Sequence, residues 1–277
     1  MSGILASAQG LAQLSAQRST DLPQGWYVYG DEKLRNASAS DTRCFNYSRR
    51  DWHVTVERGE AHITERRKDQ LETSTLPSRL IRQQGMTRLR SATRLNDEWL
   101  LAYNDGEFGG GLWLTNEDGS EAKRVFNEDV SAVVVLEKGV LILSGLNHMG
   151  LDEGAALVYS LPRSMNLTLQ ESIKLDGTPS AFAQEGDGSV VFVTTHSLCR
   201  ITKDGELKIL HTFPRWIAQQ YPNSIAITAD GSIYVGMRMF VLKLNERGDE
   251  YSESWLLPND CRKLYVEMGK IDCACTQ

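Results

Sequence analysis

The chain has no run approaching the ~20 consecutive apolar residues that a membrane-spanning helix needs, which excludes a helical span and, with it, a membrane partner. Its N-terminal stretch has no basic segment, and Gln9, Gln13 and Gln17 interrupt any apolar stretch, so it does not read as a secretory signal. Residues 1–24 are expected to form a flexible tail, with Leu5, Leu11 and Leu14 too sparse for more than a short helix. Cysteine is scarce and odd in number: Cys44, Cys199, Cys261, Cys273 and Cys275. Without an export signal, that pattern predicts reduced thiols in a cytoplasmic protein. Catalytic signatures are missing too, since neither a Gly-x-Ser-x-Gly elbow nor a His-Glu-x-x-His helix occurs. Clustered basic charge is also lacking, with 30 Lys+Arg against 36 Asp+Glu and a net charge of −6. Residues 1–94 carry 15 basic against 10 acidic side chains, and residues 95–277 carry 15 against 26. An acidic majority argues against nucleic acid, whose phosphates need clustered Lys and Arg. It is compatible with a basic protein partner.

What is present is a motif written four times. Ser91-Ala92, Ser131-Ala132, Ser180-Ala181 and Ser224-Ile225 each open a short apolar segment, followed by a polar turn and a second apolar segment. The serines lie 40, 49 and 44 residues apart, and the second segments, counted from Trp99, Val140, Val190 and Ile233, lie 41, 50 and 43 apart. Two independent markers therefore share one period. A strand-built repeat of ~40–50 residues is the unit of a β-propeller blade. Small residues opening each first strand suit a position near the axis, where bulky side chains would collide. Continuous apolar second strands suit burial between neighbouring blades.

The predicted fold class is all-β: a closed β-propeller of four-stranded antiparallel blades, five in number. One domain spans 25–277 after the tail, with blades at roughly 25–86, 87–126, 127–175, 176–216 and 217–277 and an N-terminal strand closing the ring. Lys68 to Gln84, polar and holding Pro77, reads as a loop or short helix outside the ring. The turns Asp187-Gly188-Ser189 and Asp230-Gly231-Ser232, each running into an apolar strand, supply the positive φ of tight hairpins. They resemble the repeat turns of propellers of the NHL and gluconolactonase-like type, over about residues 87–258. That resemblance implies the fold and leaves function open, since such propellers host enzymes, receptors, scaffolds and inhibitors. It also implies, where the gluconolactonase pattern is copied, a divalent metal on the axis. The matching positions are then Asp129, Asp176 and Asn223, whose oxygens suit calcium or magnesium. Arg90 stands where a fourth ligand is wanted.

Other candidates come from the residues themselves. The glycine run Asn104 to Trp113 lies between strand-like flanks and contains no lysine, so it reads as a hairpin rather than a phosphate loop. The corresponding loop of the next repeat, Asn147 to Gly154, is also long and polar, and the two enlarged hairpins form a contact surface. His53 and His62 face one another roughly across one hairpin, a pairing expected on a solvated face. Cys273 and Cys275 share one face of a terminal strand near Cys261, and are expected as buried thiols rather than a zinc site. The insertion Phe213 to Pro222 concentrates aromatics and an arginine, residue types enriched at binding hot spots.

The sequence thus predicts a binding propeller rather than an enzyme: no catalytic residues, no cofactor, no metal. Its expected role is a bacterial immunity or antitoxin-type inhibitor that sequesters a basic secreted toxin, such as a nuclease, encoded by an adjacent gene. Glu107, Phe108, His148, Asp152, Glu153, Arg215, Trp216 and Tyr221 are the expected partner-binding residues. A metal-dependent propeller hydrolase of the lactonase kind, or a general interaction scaffold, is the alternative.

Overall fold

Each serine-marked repeat folds as an antiparallel sheet whose strands follow one another in chain order. The computed structural model describes residues 22–29, 48, 50–66, 89–162, 165–214, 220–259, 264–265 and 272–273. The strands before the first regular sheet are β1 (Trp26–Tyr29), β2 (Trp52–Glu57) and β3 (Glu60–Glu65), the last two forming a hairpin. The first four-stranded sheet comprises β4 (Leu89–Leu95), β5 (Glu98–Asn104), β6 (Gly110–Asn116) and β7 (Ala122–Phe126). The second comprises β8 (Val130–Val135), β9 (Gly139–His148), β10 (Leu151–Ser160) and β11 (Leu169–Lys174). The third comprises β12 (Ala181–Gln184), β13 (Val190–Val193), β14 (Ser197–Ile201) and β15 (Leu207–Thr212). The fourth comprises β16 (Ser224–Ile227), β17 (Ile233–Gly236), β18 (Val241–Arg247) and β19 (Glu250–Pro258), with β1 added beside β19 as a fifth strand. Trp26 to Tyr29 pair there with Pro258 to Trp255. Near the C-terminus, β20 (Leu264–Tyr265) and β21 (Asp272–Cys273) pair with each other.

The second strands fulfil the expectation drawn from their apolar runs. Val190 to Val193 and Ile233 to Gly236 are buried along their whole length. Burying a Val, Leu, Ile or Phe side chain is worth roughly 1.5–3 kcal/mol, and these strands bury on both faces because a sheet lies on each side. One apolar cluster joins Leu100, Leu112 and Leu114 of the first sheet to Val133, Val140 and Ile142 of the second. Another joins Leu141 and Leu143 of the second sheet to Val190, Phe192 and Ile201 of the third. A third joins Val191 and Val193 to Val235, Leu242 and Trp255 of the fourth. Trp52 and Val54 of β2 pack in turn against Ala226, Tyr234 and Val241.

First strands touch first strands in succession: β4 with β8, β8 with β12, β12 with β16 and β16 with β2. The sheets therefore stand side by side around a common direction, each feeding the next cluster. Two of the marker serines coincide with irregularities, since the register shifts between Leu89 and Ser91 and again between Val130 and Ala132. A bulge there bends the strand where it leaves the axis.

The Asp-Gly-Ser turns are built as expected. Ser189 donates from its backbone N–H to Asp187 Oδ1 at 2.9 Å and from its hydroxyl to Oδ2 at 3.1 Å, while Gly188 takes φ +90°. Asp230 and Ser232 repeat both bonds at 3.1 Å. The glycine run of the first sheet is the expected hairpin, β5 to β6, carrying a 3-10 turn at Gly106–Phe108. Among the described residues no helix is long and apolar enough to cross a membrane.

Candidate functional site

Because the strands alternate in direction, one end of the row of sheets collects every β5–β6 type hairpin together with the start of every first strand. At that end the loop after β5, the turn between β7 and β8 and the hairpin β9–β10 enclose a cavity of about 490 Å³. This is within the ~300–1,000 Å³ of small-molecule sites. Gly106, Glu107 and Gly110 line it from the first sheet, and Glu128 and Asp129 from the turn. Ser144 and Gly145 line it from β9, Glu153 and Ala155 from β10, and Lys174 from the end of β11.

Asp129 is the centre of this cavity's chemistry. The residue is only 5% exposed, and its Oδ1 is buried without a hydrogen-bond partner. Burial pushes its carboxyl above the ordinary aspartate range, and the nearby Asp105 charge adds to the rise. Backbone hydrogen bonds from Gly106 and Asp105 and the Arg90 guanidinium offset this only in part. Gly110 makes the arrangement possible: a Cβ there would come within 2.4 Å of Asp129 Oδ1 and 2.6 Å of its Cα. Ser144, 1% exposed, leaves a second buried oxygen unpaired in the same wall. Natural proteins rarely leave buried polar atoms unpaired, because each costs ~1–3 kcal/mol.

A close side-chain contact crosses the rim above the cavity. His148 Nε2 lies 2.6 Å from Glu107 Oε2, joining hairpin β9–β10 to the loop after β5. Beside this pair Phe108 and Met149 point outward, 85% and 91% exposed. Glu107, Phe108, His148 and Glu153 are thus brought together on one face, as partner-binding candidates from adjacent loops. Asp152 has another occupation. It bridges the second and third sheets, accepting from Thr195 Oγ1 at 2.6 Å and the Thr178 N–H at 2.9 Å, with His196 Nε2 2.9 Å away. Burial opposes its ionisation, but these hydrogen bonds and His196 outweigh it and hold the carboxyl below its usual range. Tyr221 lies away from this rim under the Arg238 guanidinium, 4.0 Å from its ring centroid. Arg215 and Trp216 lie outside the described residues, as do Cys44, Cys261, Cys275 and the segment Lys68 to Gln84.

Two of the three candidate axial residues hydrogen-bond to neighbouring groups. Asp176 accepts the hydroxyls of Thr194, at 2.7 Å, and Ser197. Asn223 donates to Asp51 Oδ1 at 2.7 Å and to the Trp52 carbonyl at 3.0 Å, and accepts from Ser224 at 2.9 Å. Among the described residues no three His, Cys, Asp or Glu side chains gather as a metal site. His53 and His62 are diagonal neighbours on one face of the hairpin, their direct strand partners being Thr64 and Thr55. His53 instead lies 3.4 Å from Asn223 Oδ1, and His62 3.9 Å from Glu57.

Two histidine partners escape a reading that searches nearby in sequence. His196 meets Asp152, and His211 meets Glu253 at 2.8 Å in a half-enclosed pair that also receives Trp255 Nε1. Thr195 and Asp152 are 43 residues apart, and His211 and Glu253 are 42 apart. Both separations equal one repeat, so a search at the blade period finds them. Cys199, by contrast, is inert: burial, with the Asp176 charge, pushes its thiol up to about 12.

No family model matches the chain, and no curated protein matches it. Solved structures do. A streptogramin B lyase is 13% identical with a TM-score of 0.40, over 62% of this chain and 55% of that one, so the chain spans about half of that enzyme's length. A gluconolactonase from Xanthomonas campestris is 14% identical with a TM-score of 0.34, over 74% and 63%. A protein from Lactobacillus plantarum is 13% identical with a TM-score of 0.43, over 77% and 70%. The chain resembles propeller proteins of the gluconolactonase-like type.

Proposed function

We propose that this chain is a propeller that holds a small polar molecule in the cavity between its first two regular blades and exchanges a proton with it through Asp129. The observation that carries the reading is a carboxyl only 5% exposed in the lining of a cavity of ligand size. A carboxyl whose proton affinity is raised by desolvation is the usual equipment of an acid–base site. This favours the hydrolase alternative over the inhibitor role. The ring closes as five blades in this proposal, with hairpin β2–β3 as the core of the fifth, next to β16.

The test is a thermal-shift screen with a small-molecule library balanced in charge, repeated on Ala155→Phe, which fills the cavity. A ligand present at 100 times its Kd stabilises by ~2.7 kcal/mol. Hits should disappear in the filled variant. Hits that persist there place the site elsewhere and end the reading.

A second reading has one observation in its favour. Phe108, Met149 and the half-exposed Leu151 form an apolar tip beside Glu107 and Glu153. Such a tip with an acidic surround suits docking of a basic protein, the toxin-capture role. Phe108→Ala with Met149→Ala should then raise the dissociation rate of the adjacent gene's product at least tenfold in surface-plasmon kinetics. No binding of that product to the wild-type protein would remove the role.

A further inference from the structure

Independently of any cavity ligand, we propose that two copies of this chain dock end to end through the loop end of their sheets, related by a two-fold axis. The projecting half of that surface is the hairpin β9–β10. Pairing of β9 with β8 ends at Ser144, and pairing of β10 with β11 ends at Ala155. From Gly145–Gly154 to His148–Leu151 the two strands continue with one another as a ribbon, an arm of roughly 10 Å before its turn. That turn is Met149-Gly150, with φ of +48° and +91°. Asn or Asp usually opens such a turn. Here a methionine does, and it is 91% exposed. Phe108, 85% exposed, stands beside it, since His148 at the end of the arm lies against Glu107. The fold gains little burial from either side chain, yet it holds Met149 in a left-handed conformation to present it. Large apolar groups grouped on one projecting element mark a contact surface.

The same end of the same chain carries the complement. Asn223, just before β16, donates to Asp51, just before β2, so both stand where the first strands start. Arg238, in the turn between β17 and β18, forms a backbone bridge with Asp51 there. Arg66 lies 3.5 Å from Asp51, and Arg50 lies 3.3 Å from Glu65. With Arg238, three guanidinium groups meet two carboxylates, which leaves this patch positive. The Arg238 guanidinium lies 4.0 Å from the ring centroid of Tyr221, which is 52% exposed. A guanidinium stacked on an aromatic face offers apolar area and charge together. Around the arm the balance is reversed, with Glu107, Glu128, Asp152 and Glu153 against Lys174 and Arg124.

The third sheet separates the two patches, since first strands touch in the order β4, β8, β12, β16 and β2. A half-turn about an axis in the contact plane, midway between the patches, sets the arm of each copy on the arginine patch of the other. The contact is then formed twice, as in every isologous dimer. A two-fold axis along the line joining the patches would instead set acid against acid and arginine against arginine, which like-charge repulsion opposes. A foreign basic protein fits the arm alone. A second copy satisfies the arm and the arginine patch at once.

Sedimentation velocity of the full-length protein reads the dimer directly. The wild type should form a concentration-dependent dimer that weakens as salt is raised. Phe108→Ala with Met149→Ala should raise its dissociation constant roughly tenfold or more, and both side chains are exposed, so the fold survives their loss. Glu107→Lys with Glu153→Lys should be monomeric, and so should Arg66→Glu with Arg238→Glu. Mixed in equal amounts, these two charge-reversed variants should associate again, because each then faces charge of the opposite sign. Circular dichroism and thermal melting confirm that each variant folds, and the alanine pair decides the matter if a charge reversal does not. A wild type that stays monomeric at every concentration overturns the proposal and leaves the arm to a foreign partner. A dimer unchanged in the alanine pair, or charge-reversed variants that dimerise alone, place the interface elsewhere and overturn it too. Folded reversed variants that do not associate when mixed rule out the crossed two-fold arrangement.

Discussion

Two junctions between blades, built from equivalent loops at the same end of the ring, solve the same packing problem differently. Between the second and third sheets, Asp152 is met by Thr195, Thr178 and His196, and the polar groups of the junction satisfy one another. Between the first and second sheets, Asp129 is buried more deeply yet keeps an unpaired oxygen beside a cavity. The apolar clusters beneath both are continuous and similar in kind. Hydrophobic packing therefore does not distinguish them. The difference is confined to the polar layer at the loop end, where one junction is tied by side-chain hydrogen bonds and the other holds a cavity.

The largest expected effect tests the layer that the two junctions share. Phe192→Ala removes the ring that fills the cluster between the second and third sheets, and should cost about 3–5 kcal/mol in urea denaturation. A loss under 1 kcal/mol would mean that the blades are not held by these clusters.

Next comes the closed junction itself. Asp152→Ala strands the Thr178 N–H and the Thr195 hydroxyl and should cost about 2–3 kcal/mol at pH 7. The effect is pH-dependent. A carboxyl with a lowered folded-state pKa stabilises above the ordinary aspartate value of ~3.9, and that contribution is lost as pH falls through the folded value. The gap between wild type and variant should therefore narrow, without closing, as pH falls below ~3.9, and a gap that stays constant through acid titration would refute the assignment.

Gly110→Ala probes the open junction from its floor. The added methyl group meets backbone as well as the Asp129 carboxylate, so it should cost about 1–3 kcal/mol by overpacking. It should also weaken any cavity ligand. Wild-type melting behaviour would show that Asp129 does not sit against this strand.

Smallest in size and opposite in sign is Asp129→Asn. A carboxyl whose folded-state pKa is raised destabilises the fold once pH climbs above the ordinary aspartate value, and increasingly through the raised one. Removing the charge should thus stabilise the ligand-free protein at pH 7 by about 1 kcal/mol, with little change near pH 3. Destabilisation at pH 7 would show that Asp129 is tied like Asp152, and the contrast between the junctions would collapse.

How much of this was legible in advance divides along the same line as the two layers. The repeat, the buried second strands and the Asp-Gly-Ser turns are local patterns, readable because strand periodicity and turn chemistry act over a few residues. Glu107, Phe108, His148 and Glu153 were legible as a rim because enlarged loops in consecutive repeats must lie side by side. Asp152 reads as a rim acid in sequence, and its tie to His196 appears only when neighbouring blades are placed. Asp129 was singled out for a different reason, as a metal ligand by resemblance, and its fellow candidates Asp176 and Asn223 hydrogen-bond to their own neighbours.

The sequence by itself determined the all-β repeat, the strands within each blade and the hairpins that join them, because those depend on side chains two to ten residues apart. Only the tertiary structure decided which carboxyl is paired and which is left with an empty hydrogen-bonding direction. That choice depends on groups about one blade apart in the chain, brought within 3 Å by packing of whole sheets. A buried charge is set by everything that surrounds it, and nothing in the local sequence around Asp129 or Asp152 records what the neighbouring blade supplies.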